Sequence, residues 1–427
     1  MAQGVLEARR TDRAPARAVR RLPRTTEPLT WLACAVFAAL LAVGSTLETH
    51  RVWAVTAAVG YGAAAVTVMC SRLREARGGA DVAAVTAAVT TAVTTAVTTA
   101  LIPLIVLVLV DSAQLEVRVV EDAAHQLLES GSPYDPEPGA LKDFNPYLPG
   151  MALFGIPAAL TGDGPLGDPR WWFGLCFLAA MAGAARVASG GAEATRRVRT
   201  ALVWLVACPP VALSLAVSGI DLPVIGLACL GLAFASRGRA GRAGLVLGGA
   251  AVLKWTAWPV VAVAVVLLTA RYGRGPAGRF AAITGAVVLA FVAPVALRDP
   301  AAFGQHVIAF PLGFGDAPSP AASPLPGQLL SRAFEGGDVL ALGLLCTGAV
   351  LMAASLVLRP PTTLIAAADR TALGLGLAIA LAPATRYGYL LYPLILFTWF
   401  RGRVRPGSGG PVRRWAAREA RHGAGPP

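Results

Sequence analysis

The chain is 427 residues long, 56% of them hydrophobic and only 14% charged, with a mean hydropathy of +0.62. A soluble globular domain carries roughly a quarter charged residues, so this inventory cannot cover a water-facing surface. The net charge of +13 does not indicate nucleic acid: Lys142 and Lys254 are the only lysines, and the arginines gather beside apolar windows, as the positive-inside rule and anionic membrane lipids would have it.

Residues 1–28 form a basic tail (Arg9, Arg10, Arg13, Arg17, Arg20, Arg21 and Arg24), expected in the cytoplasm. With a hydrophilic stretch of this kind before the first apolar run, no cleavable signal peptide is expected. A membrane domain is expected over 29–400, an all-α polytopic bundle of about twelve crossings. The expected crossings are 29–47, 52–70, 82–110, 171–188, 200–217, 222–235, 240–253, 256–270, 280–297, 339–358, 371–382 and 387–400. The apolar run 147–161 is short and interrupted by Pro149 and Pro157, and is expected to be re-entrant or interfacial. That choice keeps Arg196, Arg197 and Arg199, with the arginines around 72–77, 237–242, 271–279 and 359–370, on the cytoplasmic side. The basic tail 401–427 then returns to the cytoplasm.

Within the third crossing a Thr-Thr-Ala-Val repeat of period four aligns Thr91, Thr95 and Thr99. Such a small-residue stripe allows close helix packing, with hydroxyls bonded to their own helix. Two outer loops remain, 111–146 and 298–338. The first opens as an amphipathic helix with Val117, Val120, Ala124 and Leu127 on one face and Glu121, His125 and Glu129 on another, expected to lie along the outer membrane surface. The six cysteines stand singly without a CxxC spacing, so no metal or cofactor is expected.

Lys254 lies between two apolar runs with no acidic neighbour in sequence. An ionisable group at membrane depth is a functional-site hypothesis by default; the alternative is snorkelling to headgroups. Asp221 and Arg386 also fall at outer helix junctions, where each could equally be a cap or an interfacial anchor. His306 reads as a solvated loop residue.

One stretch runs Glu116-Val-Arg-Val-Val-Glu-Asp-Ala123-Ala124-His-Gln-Leu127-Leu128-Glu-Ser-Gly131-Ser-Pro133-Tyr134-Asp135, then Asn145-Pro-Tyr147-Leu-Pro149. Downstream come Ser218-Gly219, a Gly244 to Lys254 and Pro259 spacing, and the tip Ala382-Pro383-Ala-Thr-Arg386-Tyr387. This ordered set resembles glycosyltransferase family 87, polyprenol-phosphate-mannose-dependent mannosyltransferases of the GT-C class. The resemblance implies an inverting membrane glycosyltransferase with its active site outside the cytoplasm. The donor is a polyprenyl-phosphate-linked sugar and the acceptor a glycan or glycolipid. It implies a carboxylate base, which Glu116 supplies by spacing or Asp111 by residue type, Glu116 being favoured. Lys254 and Arg386 would bind the donor phosphate, and Tyr134, Tyr147, Asp221 and His306 the substrates. Two other readings stand beside it: a secondary transporter, for which matching broken-helix repeats are missing, and a non-catalytic membrane scaffold or degenerate family member.

Overall fold

The computed structural model describes residues 26–76, 81–162, 164–189, 194–312 and 321–401. The expectations for the basic tails fall outside these residues, apart from 26–28 and Arg401. The described chain is helical, with a single isolated bridge between Ala322 and Thr385. The helices are α1 Thr26–Gly44, α2 Glu48–Ala76, α3 Asp81–Ala96, α4 Ile102–Leu109, α5 Leu115–Ser130, α6 Ile156–Thr161, α7 Pro169–Ser189, α8 Ala194–Val206, α9 Pro209–Val217 and α10 Leu222–Ser236. They continue as α11 Ala240–Ala251, α12 Trp258–Tyr272, α13 Arg274–Arg298, α14 Pro300–Gly304, α15 Phe310–Leu312, α16 Pro326–Ala333, α17 Gly337–Leu358, α18 Leu364–Leu381 and α19 Leu391–Trp399.

Among the described residues eight helices are long and apolar enough to cross a membrane, or nine if the bent pair α8–α9 is one span. The expected count of about twelve is thus not reached by full-length helices alone. The expected crossings 222–235, 240–253 and 387–400 are the shorter helices α10, α11 and α19, of 15, 12 and 9 residues. At 1.5 Å per residue the longest spans about 22 Å, less than a hydrocarbon core of roughly 30 Å. α10 is nonetheless the packing centre, buried along almost its whole length between α7, α11, α12 and α18.

Two breaks in the ladder have identifiable causes. Pro103 has no N–H for the Thr99 carbonyl, and the helix passes from α3 to α4 through a π turn at Val97–Leu101. The Trp53 indole N–H donates to that carbonyl at 2.7 Å. Pro209 and Pro210 bend α8 against α9 by 72°, and Tyr61 Oη donates to the Ala207 carbonyl there at 2.9 Å. The threonine stripe packs as expected: Thr95 Oγ1 donates to the Thr91 carbonyl and Thr99 Oγ1 to the Thr95 carbonyl, both at 2.7 Å and both buried.

The run 147–161 holds no helix long enough to cross a membrane, forming a 3-10 turn at Pro149–Phe154 and the six-residue α6. α5 is amphipathic as expected, with Val117, Val120 and Ala124 buried. Its apolar face packs on the 3-10 turn, α6 and α7, so protein covers the surface expected to meet the membrane.

Candidate active site

The connection after α18 positions the first half of the site. Pro383 restricts Ala382 to an extended conformation, and the helix stops at Leu381. The extended chain is clamped by Thr385 N–H donating to the Ala321 carbonyl, and Ser323 N–H to the Thr385 carbonyl, both at 2.9 Å. Arg386, still extended, then caps a 3-10 turn at Tyr387–Leu390. Its guanidinium forms an ion pair with Glu116, in the first turn of α5, and the Glu116 side chain is only 15% exposed.

Lys254 forms the second half. α11 ends at Ala251, and Lys254 is extended ahead of a 3-10 turn at Trp255–Ala257. The carbonyls left open by this break are taken by the run 147–161: Leu148 N–H donates to the Leu253 carbonyl at 3.1 Å and Gly150 N–H to the Val252 carbonyl at 2.9 Å. Position 150 must be glycine, because a Cβ there would lie 2.9 Å from the Val252 carbonyl oxygen. Lys254 Nζ donates to Asp221 Oδ1 at 2.5 Å. Tyr392 Oη donates to the same oxygen at 2.8 Å, and Thr256 Oγ1 to Tyr392 Oη at 2.8 Å. The rings of Tyr389 and Tyr147 lie 4.7 and 5.5 Å from Nζ.

Lys254 is therefore no lone cation. Asp221, 33 residues earlier in sequence, is its counter-ion, as a charge with little access to water requires. The turn Tyr387–Leu390 joins the two halves: Arg386 at its start reaches Glu116, and Tyr389 covers Lys254. Tyr389 and Tyr392 were not singled out in the sequence.

Asp111 lies apart from this constellation. It is the only non-glycine residue with positive φ (52°) among those described, a conformation that aspartate tolerates better than most residues. Its side chain, 79% exposed, pairs with Arg118, which also binds Glu121 at 3.0 Å. Burial pushes the Glu121 carboxyl above its ordinary range, with Arg118 opposing. Beside it the buried Arg170 pairs with Asp168 at 2.6 Å and donates to the carbonyls of Ser112 at 2.9 Å and Ala216 at 3.2 Å, tying the loop after α4 to α7 and α9. The sequence reading passed over this pair; Arg170, like Arg386, is an arginine at a helix end away from the basic clusters, and that was the available signal.

His306 is fully buried, not the solvated loop residue expected. It sits between the rings of Tyr134 and Phe144, at 5.4 and 5.5 Å. Asn145 N–H donates to Nδ1 at 2.9 Å, so Nε2 carries the proton and donates to the Asp135 carbonyl at 2.7 Å. Burial holds the imidazole below its ordinary value, the Asp135 carbonyl opposing. Tyr134, also buried, donates from Oη to the Tyr147 carbonyl at 2.8 Å. His306 joins the stretch 298–312 to the loop 111–146, Tyr134 ties that loop to the run 147–161, and of the expected substrate ligands only Tyr147 and Asp221 reach Lys254.

On α5 beyond Glu116, a polar cavity of about 250 Å³ is lined by Asp122, His125, Gln126, Lys142, Asp143 and Asn145 among others. Among the described residues no group of three or more His, Cys, Asp or Glu side chains could hold a metal ion.

No curated protein and no solved structure matches the chain. The sequence model of glycosyltransferase family 87 matches residues 145–398, more than half of the 427. The matched stretch contains Tyr147, Asp221, Lys254, His306 and Arg386; Asp111, Glu116 and Tyr134 precede it. With an apolar helical bundle and a matching stretch that runs through Lys254 and on to the turn after Arg386, this chain belongs to glycosyltransferase family 87 and is a membrane glycosyltransferase.

Proposed function

We propose that the chain is an inverting hexosyltransferase of GT-C type. It moves a sugar, mannose by family resemblance, from a polyprenyl-phosphate donor to an extracytoplasmic glycan or glycolipid acceptor at the outer face of the cell membrane. The reading is supported above all by one arrangement: a carboxylate (Glu116) and a cation (Lys254) are brought to the two ends of one short turn through Arg386 and Tyr389. In this reading α10, α11 and α19 also count as crossings. Shielded by protein on most sides, they need not match the full hydrocarbon thickness, and with the bent pair the total returns to twelve.

The chemistry is a single displacement. Glu116 takes the proton of the acceptor hydroxyl as its oxygen attacks the anomeric carbon. The bond from that carbon to the phosphate oxygen breaks, and the polyprenyl phosphate leaves as an anion. It needs positive charge and no general acid; Arg386 and Lys254 supply it, held in place by Glu116 and Asp221. The cavity along α5 offers amide, imidazole and carboxylate partners for acceptor hydroxyls.

The test is transfer from radiolabelled polyprenyl-phosphate mannose by the purified protein in proteoliposomes, with release of polyprenyl phosphate as the readout. Turnover is expected for the natural chain and about 10²–10⁴-fold less of it for Glu116→Gln. Turnover undiminished in Glu116→Gln would refute the assigned base, and none with any polyprenyl-phosphate hexose would refute the donor.

A further inference from the structure

A second constellation lies at the other end of α11 from Lys254. Arg239 caps α11, Arg242 lies in its first turn, and Arg279 comes from α13. Together with Gly238, Ala240, Gly241, Gly275 and Pro276 they line a groove of about 580 Å³. No carboxylate is among the lining residues. Three arginines at other helix ends are instead held by oxygen partners: Arg72 pairs with Glu27, Arg401 with Asp369, and Arg237 donates to the Ala188 carbonyl. The groove concentrates three guanidinia on one small volume, against their mutual repulsion. The Arg279 guanidinium passes about 3.5 Å from where a Cβ at Gly241 would stand, so it lies over the first turn of α11. The N-terminal turns of α11 and α13 both start at its edge, and their free N–H groups add to the attraction for an anion.

An apolar track leaves the groove. Leu245, one turn beyond Arg242 on α11, is 59% exposed, and Leu289, on the Arg279 side of α13, is 65% exposed. α13 is one of the membrane-crossing helices, so this track runs along lipid.

We propose that the groove is a binding site for a phosphate-bearing anion, the headgroup of an anionic phospholipid whose acyl chains lie along Leu245 and Leu289. Guanidinia suit phosphate oxygens through paired N–H donors. The site is separate from the catalytic constellation, since α11 sets the two about 18 Å apart along its axis.

The experiment uses the full chain in detergent, with native mass spectrometry to read the binding of phosphatidylglycerol, phosphatidylcholine and inorganic phosphate. One variant carries Arg239→Gln, Arg242→Gln and Arg279→Gln together. The other, Gly275→Glu, introduces a carboxylate where a Cβ meets nothing within 4 Å, so it opposes the anion without removing any arginine. Phosphatidylglycerol should bind in preference to phosphatidylcholine. The triple variant should weaken it about 100-fold, from roughly fivefold per charge removed, and Gly275→Glu should weaken it in the same direction, with glycosyl transfer unchanged in both. Equal retention of the two lipids by the natural chain, or undiminished phosphatidylglycerol binding in either variant, would overturn the proposal. Inorganic phosphate binding as tightly as the lipid would assign the groove to free phosphate instead.

Discussion

Two carboxylates competed for the role of base, and their surroundings separate them. Glu116 is mostly enclosed and paired with Arg386, whereas Asp111 is exposed and paired with Arg118 at a strained turn. Glu116→Gln should lower turnover by about 10²–10⁴-fold, the usual contribution of general base catalysis, and leave donor binding nearly intact. Asp111→Gly suits the positive φ and removes only an exposed ion pair, so activity and thermal stability should both stay close to the natural chain. The opposite order of severity in the transfer assay would move the role to Asp111. The Lys254–Asp221 pair makes a second prediction. Lys254→Ala leaves a largely enclosed carboxylate with Tyr392 as its remaining partner and should cost about 3–5 kcal/mol. The double change Lys254→Met with Asp221→Leu should recover most of that stability in a thermal unfolding scan and remain inactive. A double variant as unstable as Lys254→Ala would show that the pair's charge is not what destabilises the single variant.

At the scale of elements, His306 locks the stretch 298–312 to the loop 111–146. Its depressed pKa means that the neutral ring is the folded form. Stability from this lock is complete above about pH 6.5, the ordinary histidine value. It falls as the pH drops below that value toward the lower folded one, because unfolded loops then bind the additional proton. Protonation also places a hydrogen on Nδ1 against the Asn145 N–H. Hydrogen exchange of residues 131–146 should therefore accelerate between neutral pH and pH 5, after correction for intrinsic exchange, and His306→Phe should abolish that dependence. The π turn gives a further check: Trp53→Phe unpairs the Thr99 carbonyl that Pro103 leaves open and should cost about 1 kcal/mol in thermal unfolding. No loss of stability would show that Trp53 does not serve this break.

For the whole molecule, α11 runs from the arginine groove to Lys254, so those two features belong to opposite ends of the bundle. In a background with the native cysteines replaced, Glu137→Cys in the first outer loop should react with an impermeant maleimide from outside the cell. Arg239→Cys should react only after the membrane is opened. Both positions are exposed. Labelling of both from one side would contradict the arginine-based topology and the outward-facing site.

Composition and hydropathy were enough to determine a helical membrane protein, because a bilayer leaves a chain this apolar few other solutions. Local pattern was enough for α5, whose helical spacing of Val117, Val120 and Ala124 is independent of what covers that face, and for the threonine stripe, whose hydroxyls bond within their own helix. The ordered motifs from Glu116 to Arg386 sufficed for the family. Pairings between distant residues were beyond reach. Lys254 read as unpaired because Asp221 is 33 residues away, His306 read as solvated because Asn145 and Asp135 close over it from another loop, and Glu116 and Arg386 were assigned separate roles although they touch. The number of full-length crossings was likewise decided in three dimensions. α10, α11 and α19 carry the hydropathy of spans, but neighbouring helices cover α10 and breaks at Asp221, Lys254 and Arg386 shorten all three. Hydropathy records what a segment can tolerate around it, and only packing decides whether that surrounding is lipid or protein.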